Sequence, residues 1–139
     1  MEREEALGIV VGIARINNNL LANLKNNIKN YNINTTEFSL LEFLYHKGEK
    51  NIQQIRDKML IASGSATYVV DNLVKKGYVI KRICQEDKRI YFVNITKQGI
   101  ELMDELFPIH EKETLKLFSD LETEEIITLK KLLRKIKAD

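Results

Sequence analysis

Cysteine and proline each occur only once in this chain, as Cys84 and Pro108, and glycine only six times in 139 residues. A lone thiol allows no internal disulfide, which suits a reducing cytosol. So little proline and glycine argues against disorder and against a turn-rich all-β fold. No stretch approaches the ~18 consecutive apolar residues of a membrane span. The opening MEREEALGIVVGIARI carries charge too early and an apolar run too short for a signal peptide. A cytoplasmic protein with no membrane attachment is expected. The sequence lacks a nucleophile elbow, a phosphate-cradling glycine loop, a zinc motif and a Cys–His pair at catalytic spacing, so it gives no ground for an enzyme. The two histidines, His46 and His110, stand apart from each other and from Cys84. Both read as helix-surface residues, and neither a metal nor a cofactor is expected.

What is present is 44% hydrophobic residues, enough for the core of a single domain. The net charge of +2 says nothing about partners, but its distribution does. Between Lys75 and Lys97 lie seven cations (Lys75, Lys76, Lys81, Arg82, Lys88, Arg89, Lys97) and only two acids, Glu86 and Asp87, so this segment is +5 and the remainder −3. A basic stripe on an otherwise balanced chain is either a phosphate-binding surface or a solvated basic face.

Apolar residues at helical spacing over 5–29 predict a long first helix, ended by an asparagine-rich stretch. Asn34 and Glu37 have the spacing of a capping box and start a second helix with Phe38, Leu41, Leu44 and Tyr45 inward, closed at Lys47-Gly48. Asn51 and Gln54 repeat the pattern for a short third helix that buries Ile52, Ile55 and Met59. After a break at Leu60-Ile61-Ala62, Ser63 caps a fourth helix, SGSATYVVDNLVKKG. Its wheel gathers Ala66, Val69, Val70, Leu73 and Val74 on one side and Gly64, Tyr68, Asn72 and Lys75 on the other. Two short helices about a tight turn form a helix-turn-helix. Residues 78–84 and 90–95 then alternate as strands around the loop 85–89, a β-hairpin. Thr96 caps a further helix that Pro108 should kink or break. A last helix from Glu122-Thr123 carries Ile126, Leu129, Leu132, Leu133 and Ile136 inward. The first and last two helices carry more apolar surface than so small a core can cover, which predicts a homodimer made by the terminal helices. Asn17, within the first stripe, is either a register-setting polar residue at that seam or a solvated one.

SGSATYVVDNLVKKGYVIKR (63–82), the DKR of the hairpin tip (87–89), VNITKQG (93–99) and INTTEFSLLEFL (33–44) together resemble the MarR family of bacterial winged helix-turn-helix transcriptional regulators. The resemblance spans nearly the whole chain. It implies a mainly α fold with a small β-hairpin wing. Residues 33–99 would form the DNA-binding region, and residues 1–32 and 100–139 the dimerisation helices of one domain. It further implies a homodimeric repressor of palindromic operator DNA that is released by a small aromatic or lipophilic effector.

In such a protein the fourth helix enters the major groove. The side chains expected at DNA are Ser63, Ser65, Thr67, Tyr68, Asn72 and Lys75, with Asn72 suited to adenine and Thr67 to a thymine methyl. Tyr68 departs from the basic residue common in the family. Asp71 is expected to be neutralised by Lys75 or Arg82. At the wing, Arg89 is expected to enter a minor groove with Asp87 aiming it and Lys88 adding a phosphate contact. Cys84 reads either as a small, inert strand residue or as an oxidation sensor beside the basic loop, the family's redox members usually carrying their sensing cysteine near the first helix. An effector pocket would lie between the dimer helices and the winged core, lined by the first and second helices and the start of the fifth. Tyr31, Phe38 and Tyr45 near it read as core. A winged module that binds protein without specific DNA recognition stays open, because Tyr68 and Asp71 share the reading face.

Overall fold

The computed structural model describes residues 1–59 and 63–136, with side chains in the second stretch from Ser65 onward. The expected break at 60–62 and the Ser63 cap lie outside the described side chains. The order is α1 (Arg3–Ile28), α2 (Thr35–Lys47), β1 (Lys50–Asn51), α3 (Ile52–Met59), α4 (Ser63–Lys75), β2 (Val79–Ile83), β3 (Tyr91–Ile95), α5 (Lys97–Lys116) and α6 (Thr123–Lys135). Among the described residues no helix is long and apolar enough to cross a membrane.

Local side-chain chemistry sets most helix ends. The Glu37 N–H donates to Asn34 Oδ1 at 2.8 Å and the Asn34 N–H to Glu37 Oε1 at 3.0 Å. Asn51 and Gln54 exchange the same pair at 2.9 and 2.8 Å. Thr96 Oγ1 accepts from the Gly99 N–H at 3.1 Å and donates to the Gly77 carbonyl at 2.7 Å, so one hydroxyl caps α5 and ties it to the end of α4. Gly77, at φ 82°, turns the chain out of α4 in a conformation costly for any residue with a Cβ. Gly99 is needed for a different reason, since a Cβ there would overlap the Tyr78 carbonyl and the Ile95 side chain.

The hairpin pairs β2 with β3 antiparallel, from Val79↔Ile95 to Ile83↔Tyr91. A third strand joins it: β1 pairs with β3 through Lys50↔Val93 and Asn51↔Phe92, giving the order β1-β3-β2. Two residues carry no alternation, so nothing in sequence marks β1 as a strand.

The core lies where α2 meets the sheet, α4 and α5. It contains Phe38, Leu40, Leu41 and Leu44 from α2, Ile55 from α3, Val70 and Leu73 from α4, and Met103 and Leu106 from α5. Each such side chain contributes roughly 1.5–3 kcal/mol on burial. Several expectations need correction. Val74 is exposed, at the edge of the α4 stripe. Tyr45 and Met59 are only half-buried, and Leu40 takes the place on α2 given to Tyr45. The α6 residues expected inward are all exposed in the single chain. Of the kink or break expected at Pro108, the break does not occur, since α5 continues to Lys116. Ring contacts of Phe107 with His46 (4.5 Å) and of His110 with Phe38 (4.9 Å) hold the turns around it against α2. His110 is thus half-buried, not a surface residue.

Candidate nucleic-acid interface

α4 is held from beneath and open above. Ala66, Val69, Val70 and Leu73 are buried. Ser65, Tyr68 and Lys75 are exposed, with Tyr68 at 68%, and Thr67 and Asn72 are half-buried. Two ion pairs fix this helix. Lys76 Nζ, just past its end, lies 2.9 Å from Oε1 of the almost fully buried Glu37 in the first turn of α2. Asp71 pairs with Lys81 of β2. The expected partners of Asp71, Lys75 and Arg82, are not used. Arg82, eleven residues on from Asp71, instead extends over the Phe92 ring (4.5 Å) to Glu49 (3.1 Å). Lys81 also sits over the Tyr91 ring at 4.8 Å.

These pairs change the electrostatics read from the sequence. Lys76, Lys81 and Arg82 are met by Glu37, Asp71 and Glu49, acids from outside the +5 segment. Among the described residues Lys75, Lys88 and Lys97 form no ion pair. The basic surface is therefore narrower than the segment count implies, and it centres on the end of α4 and the hairpin tip.

The tip is an ordered loop. The Cys84 N–H donates to the Ile90 carbonyl (2.9 Å) and the Ile90 N–H to the Asp87 carbonyl (3.0 Å). The Asp87 carboxylate accepts from the Arg89 backbone N–H (3.0 Å), Nε (3.1 Å) and Nη2 (3.0 Å). The hydrogen bonds from the Arg89 side chain, then its backbone, hold the Asp87 carboxyl below its ordinary pKa, and the same pairing raises Arg89. The Arg89 side chain is nevertheless 90% exposed. Cys84, at the base of the loop, is half-buried.

Beside α3 lies an open groove of about 870 Å³. Leu21, Leu24, Phe43 and Met59 supply its apolar wall, and His46, Lys47 and Lys58 its polar rim. It is bounded by α1, α2 and α3. Tyr31 donates to Glu105 at 3.0 Å and Tyr45 to Asp104, and a smaller groove of about 530 Å³ lies between the end of α1 and α5, lined by Asn26, Asn30, Tyr31, Glu105 and Ile109. Sequence reasoning missed the Glu37–Lys76 and Arg82–Glu49 ties, since residues so far apart leave no local signal.

The MarR family model matches residues 33–91. The HTH-type transcriptional regulator MhqR of Bacillus subtilis (strain 168) is 38% identical over 133 residues, spanning 96% of this chain and 92% of that protein. Two solved structures share the fold. Sco3205, a MarR family transcriptional regulator from Streptomyces coelicolor in complex with DNA, has a TM-score of 0.86 at 21% identity, covering 96% of this chain and 86% of that one. Bordetella bronchiseptica BpsR, whose DNA binding is regulated by 6-hydroxynicotinic acid, has a TM-score of 0.82 at 22% identity, covering 100% and 99%.

Proposed function

The chain belongs to the MarR family of transcriptional regulators, and from that premise we propose that it is a homodimeric repressor that grips operator DNA with two copies of α4 and the wing. It is a DNA-binding regulator and not an enzyme. In our reading residues 33–99 read the duplex and residues 1–32 and 100–139 make the dimer. The observation that carries this is the pairing of an exposed helix face with an exposed but oriented arginine at the wing. Ser65, Thr67, Tyr68 and Asn72 meet base edges and sugars in the major groove, and Lys75 and Lys88 meet phosphates. Ser63, at the first turn of α4, is assigned to the same surface. Arg89, aimed by Asp87, enters the adjacent minor groove, where the potential is most negative over A·T tracts.

The groove behind α3 is the effector site in this reading. An aromatic or lipophilic acid would lay its ring on Phe43 and Met59 and its carboxylate toward Lys58, His46 or Lys47. A hydroxylated ring acid regulates BpsR, which supports this chemistry. Because α3 packs directly on α4, a ligand that shifts Lys58 and Met59 would move the reading helix off its groove.

The test is fluorescence anisotropy of the protein on its own upstream DNA across a salt series. Binding should weaken steeply as salt rises, by the number of phosphates engaged, and hydroxylated aromatic acids should release it. Binding indifferent to salt would point to a protein partner instead.

A further inference from the structure

On the reading that the wing carries Arg89 to the DNA, we infer that Arg82 is a positioning residue. It straps the base of the wing to the body of the molecule through Glu49 and makes no contact with the duplex. β3 runs between β1 and β2. Phe92 of β3 pairs with Arg82 on one side and Asn51 on the other, so the three residues form one row across the sheet. Side chains directly opposite each other share a face. Arg82 therefore crosses β3 on the face that carries Phe92. Its guanidinium lies over that ring at 4.5 Å, and Nη2 and Nε donate to Glu49 Oε2 and Oε1 at 3.1 and 3.4 Å. Glu49 lies two residues before Asn51, just ahead of β1. The strap thus spans roughly 10 Å, twice the spacing between strands.

Its place is where the wing needs a tie. β1 is two residues long, and its ladder ends at Asn51↔Phe92. Toward the tip only the pair Ile83↔Tyr91 and the loop remain, a ribbon with no third strand. Such a ribbon is marginally stable by itself and free to twist. Successive side chains of a strand alternate, so the neighbouring Lys81 runs on the opposite face, over Tyr91 to Asp71 of α4. β2 is held from both faces, one rung short of the loop that bears Arg89. Arginine suits this position: a planar guanidinium can stack on a ring and meet a carboxylate with two nitrogens at once, which an ammonium cannot. Glu49 neutralises its charge within the protein.

The test is fluorescence anisotropy on a duplex that the unmodified protein selects from a random DNA library. Both residues are exposed, so their variants keep the fold. Glu49→Gln decides by its sign. Removing an acid from a DNA-binding protein strengthens binding if charge alone acts, whereas loss of the strap weakens it. Glu49→Gln and Arg82→Gln should each bind about three- to fivefold more weakly, the scale of one exposed ion pair. The salt slope should stay unchanged, and the two changes together should be no worse than either. Glu49→Arg/Arg82→Glu, which restores an opposed pair, should bind more tightly than either reversal alone. In an Arg89→Ala background Glu49→Gln should have no further effect, since the strap acts through Arg89. Binding that Glu49→Gln strengthens or leaves unchanged would overturn the strap, as would a full effect retained in Arg89→Ala. So would a double reversal weaker than Glu49→Arg, or a salt slope lowered by about one in Arg82→Gln, the mark of a lost phosphate contact. If Arg89→Ala itself leaves affinity unaltered, or no sequence is selected, the wing reading falls and this inference with it.

Discussion

Arg89 is almost fully exposed, yet its backbone N–H and two of its guanidinium nitrogens are held by the single carboxylate of Asp87. The arrangement reduces the ordering entropy that a free arginine would lose on entering a groove. Arg89→Ala should therefore cost about tenfold in operator affinity and lower the salt slope by about one, with no change in melting temperature. Anisotropy and circular dichroism check the two halves of that statement. Asp87 sets the pH window. Its folded pKa is depressed, so the pair is complete above the ordinary carboxylate value and is lost only as pH falls through the lowered one. The Asp87 carboxyl ¹³C resonance should titrate below the ordinary aspartate value, and in Arg89→Ala it should return toward it.

At the scale of elements, what matters is how α4 is fastened. Its apolar face seats it on the core, but Lys76–Glu37 and Asp71–Lys81 fix its rotation and tilt against α2 and β2. The Glu37 side chain is 2% exposed and the Lys76 side chain 27%. Lys76→Met leaves a buried carboxylate with only the bond it accepts from the Asn34 N–H. It should destabilise the fold by about 2 kcal/mol, below the 3–5 kcal/mol of a fully buried pair because Lys76 is partly solvated. Urea unfolding measures this, and adding Glu37→Gln should restore part of the loss. A merely superficial pair would show neither effect.

For the whole molecule, the proposed two-fold assembly would turn one weak reader into a specific one. A dimer that presents α4 twice to one side of a duplex requires half-sites about 34 Å apart, close to one helical turn. Inserting five base pairs between the half-sites of the operator should therefore reduce affinity about a hundredfold, because one half-site then rotates to the far side. Inserting ten should restore much of it. Anisotropy on the three duplexes distinguishes this from independent binding by monomers, which would be insensitive to spacing.

Features whose partners lie within a few residues were legible in the chain itself. The Asn34–Glu37 and Asn51–Gln54 caps, the Thr96 cap, the Gly77 turn and the Asp87–Arg89 fork each join residues two or three positions apart or depend on one backbone angle. The helical stripes and the hairpin followed from periodicity, since 3.6- and 2-residue repeats survive any packing that uses one face. The tertiary structure decided the rest. Asp71 chose Lys81, Arg82 chose Glu49, Lys76 reached a carboxylate 39 residues away, and β1 became a strand only because β3 lay beside it. Such pairings depend on which surfaces the core brings together, and a linear count of charge, however suggestive between Lys75 and Lys97, does not contain the acids that fold onto it.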